Sequence, residues 1–380
     1  MAEIVLESLA HSYMPSPSGA NDYAIRRMTH TWRNGGAYAL LGPSGCGKST
    51  MLNIISGLLT PSEGKVVFDK QDVSHLAPQE RNIAQVFQFP VVYDTMTVAD
   101  NLAFPLRNMK TPEAKVRSRV SEVAELLELT PVLNKRASNL TADEKQKVSM
   151  GRGLVREDVS AILFDEPLTV IDPQLKWKLR RKLRQIHEQL HITMVYVTHD
   201  QLEAATFAEE IAVMYDGAIV QFGSPRELFE SPNHTFVGYF IGSPGMNLMP
   251  VTRSKNGVEF EGKLIPLTDE QTHALDASSS DNIKVGIRPE FVHLWQDARD
   301  EAWQVPVQYV EDLGTYKIIT VKFGSIPLKL RIDEETPVPK EHTWISFPAQ
   351  WLKLYIDEYL TGEPISLDAV SAEQGAPHAD

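Results

Sequence analysis

The chain has 380 residues, 42% hydrophobic and 23% charged, with 22 glycines and 24 prolines. That length allows two or three domains, and the composition excludes collagenous, mucin-like and wholly disordered chains. Asp and Glu outnumber Lys and Arg by 50 to 37, a net charge of −13 that argues against a general nucleic-acid binder.

The amino terminus carries Glu3 and Glu7 where a secretory signal would carry Lys or Arg, and no run of apolar residues reaches the roughly 18 of a membrane span. The expectation is a chain neither exported nor embedded in a membrane by itself. Its single cysteine cannot close an internal disulfide, which fits a reducing, cytosolic compartment. Residues 1–242 alternate short apolar runs with helical patterns, as an α/β domain does. Strands are expected at 37–41, 66–68, 84–87, 160–164 and 193–197, the last two as continuous apolar runs buried on both faces. Helical spacing occupies 50–59 and 112–133, where Val120, Val123, Leu126 and Leu127 form a stripe. A helix is also expected at 148–154. The segment after Asp172 carries Lys176, Lys178, Arg180, Arg181, Lys182 and Arg184 opposite Leu175, Leu179, Leu183, Ile186 and Leu190, which reads as a solvated amphipathic helix rather than a nucleic-acid face. After Gly242 short alternating segments at 284–287, 305–310, 317–323 and 328–332 predict a small β-barrel-like domain over 243–370, then a flexible tail at 371–380.

Gly42-Pro43-Ser44-Gly45-Cys46-Gly47-Lys48-Ser49 matches G-x-x-x-x-G-K-[ST] between a strand and a helix. Backbone N–H groups of such a loop curl round a β-phosphate, and the helix N-terminus adds partial positive charge. Lys48 would reach the β- and γ-phosphates and the Ser49 hydroxyl would bind Mg²⁺, with Thr50 beside it in an ATP-binding segment. The counterpart is the apolar strand ending in Asp165-Glu166: Asp165 for the Mg²⁺ shell, Glu166 to polarise a water against the γ-phosphate. At a helix N-terminus the Cys46 thiol is expected to have a lowered pKa, without a catalytic role.

With these motifs in this order, the first 242 residues resemble the ATP-binding subunits of ABC transporters. The resemblance implies a phosphate-loop nucleotide-binding domain with a helical subdomain at about 89–157. It makes Gln88, in Val86-Phe87-Gln88-Phe89, the Q-loop glutamine, a metal and water ligand that senses the membrane partner. It makes His199 the switch histidine at the γ-phosphate, Asp172 the D-loop aspartate, and Tyr13 the adenine-stacking aromatic, with Tyr23 the alternative. Catalysis would then rest on Glu166, His199 and Gln88, and Mg²⁺ on Ser49, Gln88 and Asp165.

The signature segment departs from the family's Leu-Ser-Gly-Gly-Gln: here it reads Leu140-Thr141-Ala142-Asp143-Glu144. In the family this segment closes across a dimer interface on the other subunit's γ-phosphate. An acid there would repel the phosphate unless Lys145 or Lys147 offsets it or Asp143 turns to solvent. The sharper reading is a heterodimer with a second, non-identical ATPase, the alternative being a homodimer.

The carboxy-terminal part resembles the regulatory domain of maltose-type importer ATPases, an OB/TOBE-type fold, through Gly286-Ile287-Arg288-Pro289-Glu290 and Val310-Glu311-Asp312-Leu313-Gly314. That resemblance implies two transmembrane permease subunits, docked around Gln88 and 89–105, an extracytoplasmic substrate-binding protein, and a peripheral position on the cytoplasmic face of a bacterial inner membrane. Segments 85–106 and 140–172 look most like one of the two unlike ATPases of bacterial glycerol importers, which favours glycerol as solute. Two other readings are a soluble ABC ATPase acting on nucleic acid or ribosomes, and a nucleotide-binding regulatory subunit without hydrolysis. The single phosphate loop and acidic balance weigh against the first, and the presence of Glu166 and His199 against the second.

Overall fold

The computed structural model describes residues 2–361, apart from 170, 256, 339 and 340. The expected tail at 371–380, and 362–370 before it, lie outside the described residues. The chain forms two compact units, Met1–Pro225 and Arg226–Asp380. The division falls ahead of the change of texture at Gly242, because two short helices group with the second unit.

In chain order the first unit begins β1 (Ile4–His11), β2 (Ile25–Trp32), β3 (Ala37–Leu41), α1 (Lys48–Ser56), β4 (Glu63–Phe68), β5 (Gln71–Asp72) and β6 (Ile83–Val86). It continues with α2 (Val98–Asn108), α3 (Glu113–Leu126), α4 (Ala142–Leu154), β7 (Ala161–Asp165), α5 (Pro173–Leu190), β8 (Met194–Thr198), α6 (Gln201–Phe207), β9 (Glu210–Tyr215) and β10 (Ala218–Gly223). One antiparallel sheet has the order β2-β1-β4-β5; the central sheet runs β10-β9-β3-β8-β7-β6. In it β9, β3, β8, β7 and β6 are parallel, and β10 closes one edge antiparallel to β9. Every residue of β3 and β8 is buried, as continuous apolar runs in a parallel sheet require. Leu40, Leu163, Val195 and Val197 share one core with Met51, Leu52 and Ile55 of α1 and with Leu6 and Val66 of the antiparallel sheet.

Helices α2, α3 and α4 pack on one another. Gly151 lets them approach: a Cβ there would stand 2.5 Å from Leu102 Cδ2. The buried Arg119 of α3 ties down the end of α4 by donating to Leu154 O at 2.8 Å. Two expectations need correction. The helix placed at 148–154 begins six residues earlier, because Thr141 caps it and Glu144 closes the capping box. The cationic face of α5 is not uniformly solvated: Arg180 is buried, Lys176 pairs with Glu203 at 3.4 Å, and Arg184 pairs with Glu188 and Glu209. Leu179, Leu183 and Ile186 are buried as the stripe predicted.

Around and after the division come α7 (Pro225–Glu230), α8 (Thr235–Phe240), β11 (Asn247–Ser254), β12 (Gly257–Phe260), β13 (Lys263–Ile265), α9 (Asp269–Ala277) and β14 (Ile283–Ile287). Then follow β15 (His293–Trp295), β16 (Trp303–Asp312), β17 (Tyr316–Phe323), β18 (Ile326–Asp333), β19 (His342–Ser346), β20 (Lys353–Ile356) and β21 (Tyr359–Leu360). They build two antiparallel sheets, β13-β12-β11-β14-β20-β21 and β15-β19-β16-β17-β18. Met249, Val285, Ile287, Val321, Phe323, Leu330, Ile345 and Leu354 fill the core they share.

Arg288, at the end of β14, organises the start of this unit. Its guanidinium is 2% exposed, lies 3.9 Å from the Phe229 ring, and donates to the carbonyls of Phe229 and Ile241. Those carbonyls belong to α7 and to the residue that ends α8, whose last turn has no intrahelical partners. Burial pushes the guanidinium down to about 10, so it stays charged at neutral pH. Arg288→Leu would strand these acceptors and should cost about 3 kcal/mol of stability. The check is chemical denaturation of the full chain, and an unshifted midpoint would remove Arg288 from this role.

Candidate functional site

Parallel register brings four chain exits to one edge of the central sheet. Leu41 of β3 pairs with Thr198 of β8, Val197 of β8 with Asp165 of β7, and Phe164 of β7 with Val86 of β6. Gly42, His199, Glu166 and Gln88 therefore all leave the sheet at its carboxyl edge, where open α/β sheets hold ligands.

The loop between β3 and α1 spans residues 42–47. Gly47 has φ of 103°, and a Cβ there would meet Ala24 O at 2.5 Å; a Cβ on Gly42 would meet Met214 O at 2.3 Å. No side chain fits at either position, so the loop is fixed as a bare-backbone cradle. Ser44 and Gly45 form its exposed crest, while Cys46 is buried beneath. Lys48 Nζ donates to Gly42 O and Pro43 O, both at 2.8 Å, lodging its charge on the loop's own carbonyls. Ser49 Oγ donates to Asp165 Oδ1 at 3.4 Å. Hydroxyl and carboxylate oxygens side by side form a hard-oxygen pair that suits Mg²⁺, which takes few protein ligands and fills its shell from phosphates and water. Burial, then the neighbouring Glu166 charge, pushes the Asp165 carboxyl above its usual range; the Ser49 hydrogen bond and Lys48 oppose the rise.

Glu166 sits at φ of 45°, a left-handed conformation uncommon for a residue with a side chain. Its backbone N donates to Val197 O at 3.0 Å, and its Oε2 accepts from Thr169 Oγ1 at 3.2 Å. His199 Nδ1 lies 3.2 Å from the same oxygen. Behind His199, the buried Glu203 accepts from Thr198 Oγ1 at 3.0 Å and Tyr196 OH at 3.1 Å, and Asp200 caps α6. The segment carrying His199 is held on both sides.

Tyr13 is 67% exposed and its hydroxyl meets Thr50 Oγ1 at 3.1 Å, beside the first turn of α1. Tyr23 is half-buried and donates to Glu63 at 2.8 Å. Gln88 is half-buried two residues beyond β6. Asp172 is exposed and its carbonyl starts α5 by accepting from Leu175 N and Lys176 N. Of the expected signature residues, Thr141 caps α4 and Ala142, Asp143 and Glu144 form its first turn. Leu140 is buried; Thr141 Oγ1 accepts from Glu144 N, and Glu144 accepts from Thr141 N. Asp143 is paired with Lys147 at 3.4 Å rather than turned to solvent, while Lys145 pairs with Asp94 instead. Three participants were not anticipated: Thr169, Glu203 and Gln146, the last donating from Nε2 to Phe87 O at 3.2 Å and Pro167 O at 2.8 Å.

A bare-backbone phosphate cradle, a lysine, a serine–aspartate pair and a glutamate–histidine contact on one sheet edge define a nucleoside-triphosphate hydrolase of the phosphate-loop class. The family profile described as ABC transporter matches residues 25–169, and one described as MalK OB fold domain matches 242–292. The trehalose import ATP-binding protein SugC of Mycobacterium tuberculosis is 40% identical over 326 residues, 84% of this chain and 81% of that one. The trehalose/maltose import ATP-binding protein MalK of Thermococcus litoralis is 38% identical over 90% of this chain and 95% of its own. The sn-glycerol-3-phosphate import ATP-binding protein UgpC of Bordetella avium is 40% identical over 79% and 81%. Among solved structures, cbiO1 from Clostridium perfringens, part of the ABC transporter complex cbiONQ, matches with a TM-score of 0.55 at 26% identity, over 60% of this chain and 90% of that one. The chain belongs to the ATP-binding subunits of ABC importers of the maltose type. It is an ATPase coupled to transmembrane transport, with an ABC nucleotide-binding domain followed by an OB-fold domain.

One expectation about the loop fails. Burial of Cys46 pushes its thiol up, and the opposing Lys48 charge does not restore it. Because this is the only cysteine in the chain, alkylation reads it directly. Iodoacetamide at neutral pH should label the native chain at least about tenfold more slowly than the urea-unfolded chain, since less thiolate is present and access is restricted. Equal rates would contradict the burial.

Proposed function

We propose that this chain is the ATP-hydrolysing motor of a bacterial importer for a small carbohydrate or polyol, with glycerol the favoured solute. It would work at the cytoplasmic face of the inner membrane with two permease subunits and an extracytoplasmic binding protein. Residues 1–242 would form the motor and 243–370 a regulatory domain. The observation that carries this reading is the meeting of Glu166, His199, Asp165 and Ser49 at the phosphate loop.

In this scheme residues 42–50 hold ATP with Tyr13 against the adenine, and Ser49, Asp165 and Gln88 hold Mg²⁺, which shields the phosphate charge when bound. Glu166 takes the proton of the attacking water. His199, in contact with Glu166, orients it and faces the γ-phosphate. Gln88 and the loop 89–105 meet the permease. The Glu166–His199 contact at 3.2 Å favours hydrolysis over a silent regulatory role. Glu166→Gln in the assembled complex should lower turnover by about 100-fold or more while ATP stays bound. Unchanged turnover would remove Glu166 from the mechanism.

The partner ATPase is proposed to be a different chain, because Ala142, Asp143 and Glu144 occupy the first turn of α4 where an approaching phosphate would meet two acids. The purified chain alone should then hydrolyse ATP weakly, and Ala142→Gly with Asp143→Gly should raise its turnover by about tenfold. Robust cooperative turnover by the unaltered chain would sink the unlike partner. The solute rests on the likeness of 85–106 and 140–172 to a glycerol-importer ATPase, alongside relatives named for trehalose, maltose and sn-glycerol-3-phosphate import.

A further inference from the structure

Gln146 lies in the second turn of α4, is fully buried, and belongs to none of the motifs that drew attention in the sequence. A primary amide carries two N–H donors on one nitrogen, and here both are used on backbone carbonyls of other segments. One bond goes to Phe87 O at 3.2 Å, the residue before Gln88; the other goes to Pro167 O at 2.8 Å, the residue after Glu166. A single –NH₂ therefore joins the two segments that carry Gln88 and Glu166, and does so from the helix whose first turn is the signature segment.

The bonds cross 59 and 21 residues of sequence, so they are tertiary restraints and not local helix chemistry. The carbonyls they restrain sit on irregular backbone just past β6 and β7, where no sheet ladder fixes them. Glu166 holds a left-handed conformation, which persists only where the surroundings over-determine it; its backbone N–H is tied to Val197 O on one side, and Pro167 O to Gln146 on the other. A displacement of α4 would move both carbonyls together. The amide oxygen, Oε1, is buried with no hydrogen-bond partner, a cost tolerated while both donors are engaged.

We infer that Gln146 is a positioning residue that holds Gln88 and Glu166 at their working separation and passes the position of α4 to both. It acts through the carbonyls of Phe87 and Pro167, and the inference rests on the roles proposed above for Gln88 and Glu166. The experiment compares Gln146→Met, which keeps the length but removes both donors, with the parent in the assembled transporter. The phosphate loop is untouched, so KM for ATP should stay within about twofold and kcat should fall by about tenfold or more. A packing residue would instead lower the melting temperature and leave kcat per folded complex unchanged, and that result would overturn the inference. If Gln146→Met does not fold, Gln146→Leu, which also removes both donors, is read by the same split. Glu166→Gln runs in parallel: if it abolishes turnover while the Gln146 variants keep full kcat, only this inference fails. Should Glu166→Gln itself retain turnover, the catalytic reading beneath it fails first.

Discussion

The constraint on which the site depends is the parallel register of β3, β8, β7 and β6. A parallel ladder aligns the carboxyl ends of its strands, so whatever follows each strand emerges on one edge. Here the residues that follow are a phosphate cradle, a histidine, a glutamate and a glutamine segment. The register is enforced by burial: β3 and β8 are enclosed throughout their lengths. A shift by one residue would drive apolar side chains out of position on both faces. Core packing and active-site geometry are therefore the same restraint seen from two ends.

Beyond the strand ends that restraint fades, and polar bonds replace it. Glu166 leaves the ladder at once, turning into a left-handed conformation that aims its carboxylate at His199 while its N–H remains on Val197. His199 depends on Glu203, a buried carboxylate that collects two hydroxyls and Lys176. Burying that carboxylate is offset by two hydroxyl bonds at 3.0 and 3.1 Å and by the Lys176 charge at 3.4 Å. Side-chain bonds of this kind hold position where no ladder does.

How much of this was legible in the sequence follows from where each signal lives. The strand at 37–41 and the loop 42–49 could be read because continuous apolar burial and a bare-backbone cradle each demand a local string of residue types. The start of α4 was misplaced because its buried residues include Gln146, Lys147 and Ser149, polar members that break an apolar stripe; the Thr141–Glu144 capping box was there to be read. Arg180 and Cys46 misled for a shared reason. A cationic run suggests solvent and a helix N-terminus suggests a low thiol pKa, but tertiary burial reverses both. Gln146 had no local signal at all, since its partners are backbone carbonyls that carry no side-chain identity.

The signature segment shows how one set of residues serves stability and works against phosphate. Asp143 and Glu144 in the first turn of α4 favour the helix macrodipole by about 0.5 kcal/mol each, and the capping box satisfies two end groups. The same charges oppose an anion approaching that turn. At about 5 Å and an effective dielectric near 20, one full charge repels another by about 3 kcal/mol. Lys147, 3.4 Å from Asp143, cancels much of that field at a distance, but Glu144 is committed to the Thr141 N–H, and among the described residues no cation forms an ion pair with it. The glycines of the family's segment leave backbone N–H groups open to a phosphate, whereas here a methyl and a carboxylate stand beside a turn already capped by its own side chains. A helix end that stabilises itself in this way gains little from an incoming γ-phosphate. That difference in free energy is the physical basis for proposing that the two nucleotide sites of the assembled motor are unlike.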